Sequence, residues 1–321
     1  MYSKELNIAL EATILAVELC RRVQSGLDLQ SLEKHDKSPV TIADFGSQAI
    51  IAKALSEAFP NIPLIAEEDS AALRLAENSS CLKKMVGEVR HTLSDESLSE
   101  DTICQWIDHG SASEYSDLFW TLDPIDGTKG FLRGQQYAIA LALVKDGVPV
   151  CATLACPNLP NSDGSVGAIF TANGDLGQCL QTGSSVSLPI SVSKEASLAK
   201  SRFCESVESA HSDHSQSQAI AQKLGIGGQS VRMDSQAKYA AVARGDAEFY
   251  LRLPTRKGYV ERIWDHAAGY AILKAAGGTI TDVDGRALDF RCGMGLENNR
   301  GVVATHGIAH TALIDTIAET S

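Results

Sequence analysis

Two closely spaced aspartates stand out in residues 120–131, which read WTLDPIDGTKGF. Asp123 and Asp126 flank a Pro-Ile pair, so the backbone carbonyl of Ile125 lies between the two carboxylates. Three hard oxygen donors within four residues are ligands of the kind that Mg²⁺ prefers. A polar turn at the end of a strand is the alternative interpretation, because Asp, Pro and Gly all favour turns.

The residues on either side of this motif predict how it is held. The apolar run LFWTL before it predicts a buried strand, which we expect Pro124 to end because proline cannot donate to a strand ladder. Gly127 and Thr128 follow and open the next element, where free backbone N–H groups can hold a phosphate. The sequence therefore places a candidate metal and phosphate site on the turn that leaves this strand.

Asp44 lies in the segment SPVTIADFGSQ, which breaks the preceding helical pattern. We expect the next helix to run from about residue 46 to residue 59, with Thr41 or Asp44 as its N-cap. The alternative is that the Asp44 carboxylate faces water at a metal site.

Further acidic residues occur where other predicted elements begin or end. Glu67, Glu68 and Asp69 follow the short apolar strand PLIA, and solvated acids are common at such a position. Asp265 lies in IWDHAAG, at the predicted start of a helix, where it could simply be an N-cap. Each of these acids lies beside an apolar anchor, so all of them are candidates for one site.

Composition describes an ordinary globular protein. The 321 residues indicate two domains or one large one, and 44% of them are hydrophobic. The net charge of −12 argues against nucleic acid as a general partner. A small anionic substrate would therefore need divalent metals and a few well-placed Lys or Arg residues.

The cysteines and the N-terminus bear on location. The eight cysteines contain no CxxC pair and no zinc-like spacing with histidine, so we expect reduced thiols in the core and a reducing compartment. No run approaches the roughly 20 apolar residues of a membrane span. MYSKELNIAL enters a helical pattern at once and leaves no room for a leader. We expect a cytoplasmic protein.

Hydrophobic periodicity predicts the elements that carry these motifs. In the first half, the predicted elements are a helix at 4–25, an interrupted helical region at 71–107 with a surface segment at 94–101, and hairpins at 137–144/148–154 and 167–171/176–180. A Gly/Ser-rich stretch at 181–193 predicts the domain boundary, giving domains 1–185 and 186–321. Strands and helices then alternate, which favours an α/β layer; the helices are expected at 211–224, 235–244, 264–276 and the C-terminus.

Taken together, these motifs resemble those of the inositol monophosphatase superfamily of lithium-sensitive, Mg²⁺-dependent phosphatases. The superfamily motifs are EED at 67–69, DPIDGT at 123–128 and WDHAAG at 264–269. The resemblance runs from about residue 38 to residue 305. Five further motifs resemble those of the members that act on 3′-phosphorylated nucleotides. They are SPVTIADFGSQ, the extension of DPIDGT through KGFLRGQQYAIALAL, ACPNLP, DSQAKY and LRLP.

The resemblance implies a set of metal ligands. One Mg²⁺ would be held by Glu67, Asp123 and the Ile125 carbonyl, and a second by Asp123, Asp126 and Asp265. A third, more hydrated ion would lie near Glu67 and Asp44. Inhibition by Li⁺, and by Na⁺ or Ca²⁺, is expected by the same resemblance.

The resemblance also implies roles in catalysis and substrate binding. Thr128, oriented by Asp44, would help to deprotonate the attacking water, and the backbone of Gly127 and Thr128 would hold the phosphate. The nucleotide would be contacted by His211, Ser235, Lys238 and Arg252. From local sequence alone, Lys238 could instead be an exposed helix lysine and His211 a residue at a helix start.

The implied fold is a layered αβαβα sandwich of the sugar-phosphatase type. The implied reaction is Mg²⁺-dependent removal of the 3′-phosphate of adenosine 3′,5′-bisphosphate, and also of 3′-phosphoadenylyl sulfate. We expect a monomer with a small-molecule substrate, no nucleic-acid partner and no membrane. The alternatives are an inositol polyphosphate 1-phosphatase with the same metal site and a catalytically silent nucleotide sensor on the same scaffold.

Overall fold

The computed structural model describes residues 2–26, 38–182, 184, 186–207, 214–254, 256 and 258–320. Its helices are α1 (Ser3–Ser25), α2 (Ser38–Ala58), α3 (Ser79–Leu93), α4 (Glu100–Asp108), α5 (Thr128–Leu132), α6 (His214–Leu224), α7 (Ala237–Ala243), α8 (Ala267–Ala275) and α9 (His310–Thr320). Its strands are β1 (Leu64–Ala66), β2 (Leu118–Asp126), β3 (Ala138–Lys145), β4 (Val148–Pro160), β5 (Val166–Asn173), β6 (Leu176–Gln181), β7 (Ser187–Pro189), β8 (Phe203–Glu205), β9 (Val231–Arg232), β10 (Phe249–Arg252), β11 (Thr279–Thr281) and β12 (Val302–Thr305).

These elements pack in the order helices, sheet, helices, sheet, helices. Strands β1 to β7 form one sheet in sequence order, and β11-β12-β10-β8-β9 form the other. Helices α1 to α4 cover the outer face of the first sheet, α7 and α8 lie between the sheets, and α6 and α9 cover the second sheet. The predicted αβαβα sandwich is confirmed.

Helices α1 and α2 pack closely because small residues lie at their contact. The fully buried stripe of α1 includes Ala9, Ala12 and Ala16 at helical spacing. On α2, a Cβ added at Gly46 would lie 2.8 Å from a methyl group of Leu19, so any larger residue there would force Leu19 to shift. The helix predicted at 4–25 is confirmed, and it supports α2, which carries Asp44.

The first sheet separates two cores by the alternation of its side chains. On β3, Ile139, Leu141 and Leu143 face the outer helices, whereas the alanines between them face α8. Such a small-residue face lets the middle helices lie close to the sheet. The predicted hairpin between β3 and β4 is confirmed, and Asp146 and Gly147 form its turn with φ of 51° and 77°.

Strand β2 does not end at Pro124, contrary to the prediction. The strand continues to Asp126, but its register shifts: Asp123 pairs with Ala140 and Asp126 with Ala138. Two residues, Pro124 and Ile125, therefore oppose one on β3, which is a β-bulge. A proline is compatible with this position because the ladder needs no N–H at a bulge.

Helix α2 differs from the prediction in where it begins. It starts at Ser38 rather than near Gly46, so Asp44 lies inside the helix and cannot be its N-cap. Asp265 is not an N-cap either. It ends a 3₁₀ turn at Ile263–Asp265, and His266 is the residue that precedes α8.

Other predicted elements are confirmed with shifted ends, and the hairpin of β5 and β6 is among them. Ser99 caps α4 at the end of the predicted surface segment 94–101 by accepting a hydrogen bond from the backbone N–H of Thr102. All eight cysteines are free thiols and six are buried, as predicted. The described helices include none with the length and apolar character needed to cross a membrane. The domain division at residue 185 stays a prediction.

Candidate active site

A cavity of about 310 Å³ opens where β2 ends, between α5 and the residues that precede α7. Both sheets contribute to its lining, since β2 belongs to the first and β10 to the second. The predicted site residues that line it are Glu67, Asp123, Ile125, Asp126, Gly127, Thr128, Ser235, Lys238, Arg252 and Asp265. Asp44 is not among the lining residues, and His211 lies outside the described residues.

Asp123 is the most deeply buried acid of the cavity wall. Its side chain is 2% exposed, and its Oδ1 is buried with no hydrogen-bond partner among the described residues. Burial, followed by the negative charges of Glu67, Asp126 and Asp265, raises its pKa well above the usual value. A buried carboxylate without a partner is costly, so this position calls for a cation.

Glu67 and Asp265 also have raised pKa values, although both residues are more exposed than Asp123. Burial raises the pKa of Glu67 to about 8, and the charges of Glu68, Asp265 and Asp126 contribute. Burial also raises the pKa of Asp265, although Arg252 opposes the shift. Asp126 is held by the backbone N–H of Gln236, which donates to its Oδ2 over 2.6 Å.

These residues fit divalent metal binding. The pKa values of Glu67, Asp123 and Asp265 are all raised, and the salt bridges of the described residues include only one to these carboxylates, from Arg252 to Asp265. Carboxylate and carbonyl oxygens are hard ligands, and the set contains no thiolate or imidazole, which favours Mg²⁺ over zinc. The alternative interpretation of DPIDGT as only a polar turn does not explain the orphaned Asp123 oxygen.

Asp44 lies behind this wall, inside α2. It is 4% exposed and its Oδ1 has no partner among the described residues. Burial raises its pKa well above the usual value, and Glu68 and Glu67 contribute. The hydrogen bonds of the described residues include none between Asp44 and Thr128, so the predicted orientation of the Thr128 hydroxyl by Asp44 stays a prediction.

Gly127 and Thr128 lie at the start of α5, as the sequence predicts, with Thr128 as its first residue. Gly127 precedes the helix with φ of 88°, a conformation that favours glycine. A Cβ at this position would also lie 3.0 Å from the Cβ of Ser235. The close approach brings the start of α5 against Ser235, whose own φ is 71°.

Lys238 is buried, so its interpretation as an exposed helix lysine is wrong. Its side chain is 6% exposed, and its Nζ donates to the carbonyl of Ser235 over 2.8 Å and lies 5.3 Å from the Tyr250 ring centre. Burial lowers its pKa. The part of the chain that the structure describes offers it no salt bridge, which leaves a buried cation facing the cavity.

Arg252 already has anionic partners within the chain. Its Nε lies 2.7 Å from Glu261 Oε2, and its Nη2 lies 3.3 Å from Asp265 Oδ2. Glu261 also lies 3.2 Å from His266 Nε2, and His266 Nδ1 lies 2.8 Å from the Tyr239 hydroxyl. Glu261, Asp265 and His266 come close enough to suit a metal, but Arg252 and Tyr239 take part in these contacts, so the network holds Asp265 in place.

Sequence reasoning missed three residues that shape the cavity. Asp234 forms an ion pair with Arg133, which follows α5. Gln236 holds Asp126, and Glu261 holds Arg252. Asp234 and Gln236 lie within the DSQAKY motif, so their place in that motif was a usable signal, whereas Glu261 had no distinctive one.

Comparison with known proteins agrees with this geometry. The model of the inositol monophosphatase family matches residues 2–321. A 3′(2′),5′-bisphosphate nucleotidase of Emericella nidulans is 41% identical over 94% of each chain. A protein of Arabidopsis thaliana named 3′(2′),5′-bisphosphate nucleotidase 1 is 44% identical over 86% of this chain and 84% of its own.

Solved structures show the same fold at low identity. The IMPase of Thermotoga maritima superposes with a TM-score of 0.63 at 18% identity, covering 100% of this chain and 98% of its own. CysQ of Bacteroides thetaiotaomicron, a bacterial member of the inositol monophosphatase family, gives 0.61 at 18% identity over 95% and 98%. With the family model and the sequence relatives, this places the chain in the inositol monophosphatase family.

Proposed function

We propose that the protein is a Mg²⁺-dependent phosphomonoesterase that removes the 3′-phosphate of adenosine 3′,5′-bisphosphate, giving AMP and phosphate. One observation carries the proposal: four mutually repelling carboxylates and the buried cation Lys238 line the same cavity. The names of the sequence relatives support the nucleotide. The 3′-phosphate of 3′-phosphoadenylyl sulfate fits the same chemistry, giving adenylyl sulfate.

The metal ligands follow from the cavity wall. Glu67, Asp123 and the Ile125 carbonyl would hold one Mg²⁺, and Asp123, Asp126 and Asp265 a second. A third ion would lie near Glu67 and Asp44. Bound Mg²⁺ neutralises the phosphate's negative charge and orients it for in-line attack by water. Li⁺, and also Na⁺ or Ca²⁺, would inhibit by taking one of these positions.

Three residues are proposed to bind the phosphate and to activate the attacking water: Gly127, Thr128 and Asp44. Backbone N–H groups at the start of α5 hold the phosphate oxygens. The Thr128 hydroxyl accepts a proton from the water and passes its own to the Asp44 carboxylate. Burial, which raises the pKa of Asp44, makes it a stronger base than an ordinary aspartate.

The second phosphate of the substrate is assigned to Lys238 and Arg252. A buried ammonium has three donors, and for Lys238 the described residues supply one carbonyl acceptor, Ser235. An anion in the cavity would use the remaining donors, whereas Arg252 adds a planar guanidinium. Ser235 and His211 complete the proposed nucleotide contacts. Hydrolysis of this nucleotide would clear a by-product of sulfate assimilation and sulfotransfer.

The test compares two substrates in the presence of Mg²⁺. We expect kcat/KM for adenosine 3′,5′-bisphosphate to exceed that for inositol 1,4-bisphosphate by at least about tenfold, since the cavity offers cations matched to a 5′-phosphate. If kcat/KM is higher for the inositol substrate by the same margin, the nucleotide assignment is wrong and the protein is an inositol polyphosphate 1-phosphatase. Binding of the nucleotide without release of phosphate would instead identify a silent sensor. A cytoplasmic location and a monomeric state are part of the same proposal.

A further inference from the structure

Gln236 lies between the two sides of the acid cluster and is 2% exposed. Its backbone N–H donates to Oδ2 of Asp126, at the end of β2 in the first sheet. Its side chain points the other way, toward the turn that carries Asp265. One residue therefore contacts both elements that supply the second proposed metal.

The side-chain amide of Gln236 makes two hydrogen bonds around Asp265. Nε2 donates to the carbonyl of Trp264 over 2.8 Å, and Oε1 accepts from the backbone N–H of Gly269 over 3.1 Å. Trp264 directly precedes Asp265, and Gly269 lies in the first turn of α8.

The bond from Gly269 replaces a missing helix cap. The first N–H groups of a helix have no partner within it, and His266, which precedes α8, provides no side-chain cap. Gln236 caps α8 from another element instead. It ties the cap to the 3₁₀ turn that ends at Asp265.

We propose that Gln236 is a positioning residue that fixes Asp265 against Asp126 and so sets the affinity of the cavity for Mg²⁺. The inference rests on the proposed function, because it takes these two carboxylates as metal ligands. Partners that orient metal ligands commonly change metal affinity by about 10- to 100-fold when they are removed.

Gln236→Met isolates the side-chain bonds. The variant keeps the backbone N–H that holds Asp126, and it keeps the length of the side chain, but it loses both amide bonds to Trp264 and Gly269. Any loss of Mg²⁺ affinity must then result from a change in the position of Asp265, not of Asp126.

Asn299→Leu is the matched control. The Asn299 amide also bonds on two sides: its Nδ2 donates to the Ala287 carbonyl over 2.9 Å and to Asp282 Oδ2 over 3.2 Å, and its oxygen accepts from the Asp289 N–H over 2.7 Å. It does not line the cavity. Its loss should lower the melting temperature of the protein without a change in Mg²⁺ affinity.

The experiment titrates the intact protein with Mg²⁺ in a calorimeter, without nucleotide, and records melting in EDTA. We expect Gln236→Met to weaken Mg²⁺ binding about tenfold or more, and Asn299→Leu to leave it unchanged. In an Asp265→Asn background, the effect of Gln236→Met should shrink to less than about twofold, since coupled residues are not additive.

The outcomes separate the two proposals. Absence of Mg²⁺ binding by the unmodified protein would count against the proposed function itself. Normal binding by Gln236→Met overturns this inference alone, and so does equal weakening by Asn299→Leu or an undiminished effect in the Asp265→Asn background. If Gln236→Met does not fold, Gln236→Ala, which leaves space for water, is judged by the same criteria.

Discussion

Arg252 and Asp265 form a charge pair in the wall of the cavity, with Nη2 of the arginine 3.3 Å from Oδ2 of the aspartate. The first is a proposed substrate contact and the second a proposed metal ligand. A single substitution at Arg252 can therefore act on the nucleotide, on the metal, or on both.

We predict that Arg252→Met acts mainly on the nucleotide. A hydrogen bond to a charged group contributes roughly 1.5–3 kcal/mol, so kcat/KM for adenosine 3′,5′-bisphosphate should fall by about 10- to 100-fold. The fall in kcat/KM should be much smaller for adenosine 3′-monophosphate, which lacks the 5′-phosphate. Steady-state kinetics with both substrates measure the difference. An equal fall in kcat/KM for both substrates would show that Arg252 acts through Asp265 instead. The control is Arg300→Met, which removes an exposed ion pair with Asp284.

Lys238→Met should raise KM for the bisphosphate by about 10- to 100-fold, since a buried ammonium that faces an anion is lost. The melting temperature without ligand should not fall, because the described residues give this buried ammonium no salt bridge and burial of an uncompensated charge is unfavourable. Kinetics and thermal melting measure both effects. Lys274→Met on the exposed side of α8 is the control, and an unchanged KM for Lys238→Met would refute the assignment of Lys238.

Asp123→Asn should abolish turnover and yet stabilise the metal-free protein. A bound metal lowers the activation barrier by several kcal/mol, so kcat should fall at least about 1000-fold when the ligand is lost. In EDTA the variant should melt at a higher temperature, because the neutral amide removes the repulsion from Glu67 and Asp126.

Asp282→Asn is the control for that prediction. Asp282 is fully buried, and its Oδ1 accepts hydrogen bonds from the backbone N–H groups of Asp284 and Arg286. Its substitution should lower the melting temperature and leave kcat unchanged. Equal phosphate release by Asp123→Asn and the unmodified protein would disprove the metal mechanism.

The raised pKa of Glu67 predicts how stability and Mg²⁺ affinity depend on pH. Between pH 4.5, the ordinary pKa of a glutamate, and about pH 8, the folded metal-free protein binds more protons at Glu67 than the unfolded chain does. The stability of the metal-free protein should therefore fall as pH rises through this window. Mg²⁺ requires the ionised carboxylate, so its affinity should rise over the same window.

Melting in EDTA and calorimetric Mg²⁺ titrations from pH 6 to 9 measure the two trends, and Glu67→Gln should flatten both. A Mg²⁺ affinity that does not change with pH in the unmodified protein would contradict the assignment of Glu67 as a ligand.

The main elements of the fold follow from periodicity and turn chemistry, but two boundaries do not. Pro124 is a reliable end signal only where its missing N–H would be needed, and the bulge in β2 removes that need. The segment around Asp44 contains proline, threonine and glycine, which favour a loop locally. Packing of α2 against α1 overrides that preference, since Gly46 fits against Leu19.

The residues of the candidate site also divide into those that the sequence could predict and those that it could not. Acids that cluster in a motif, such as Asp123 and Asp126, carry a local signal. The burial of Lys238 depends on α7 lying between two sheets, which no local pattern encodes. The role of Gln236 depends on partners in β2 and α8, so its chemistry is visible only in three dimensions.

The middle helices have one further consequence, which concerns movement. Side chains of α7 and α8 share a single apolar core with both sheets, from Ala140 on β3 to Ala304 on β12. A hinge motion between the sheets would have to separate these packed side chains and expose the core to water. Substrate entry should therefore depend on loops at the cavity rim rather than on closure of two halves, and both sheets should lose hydrogen-exchange protection in one cooperative step.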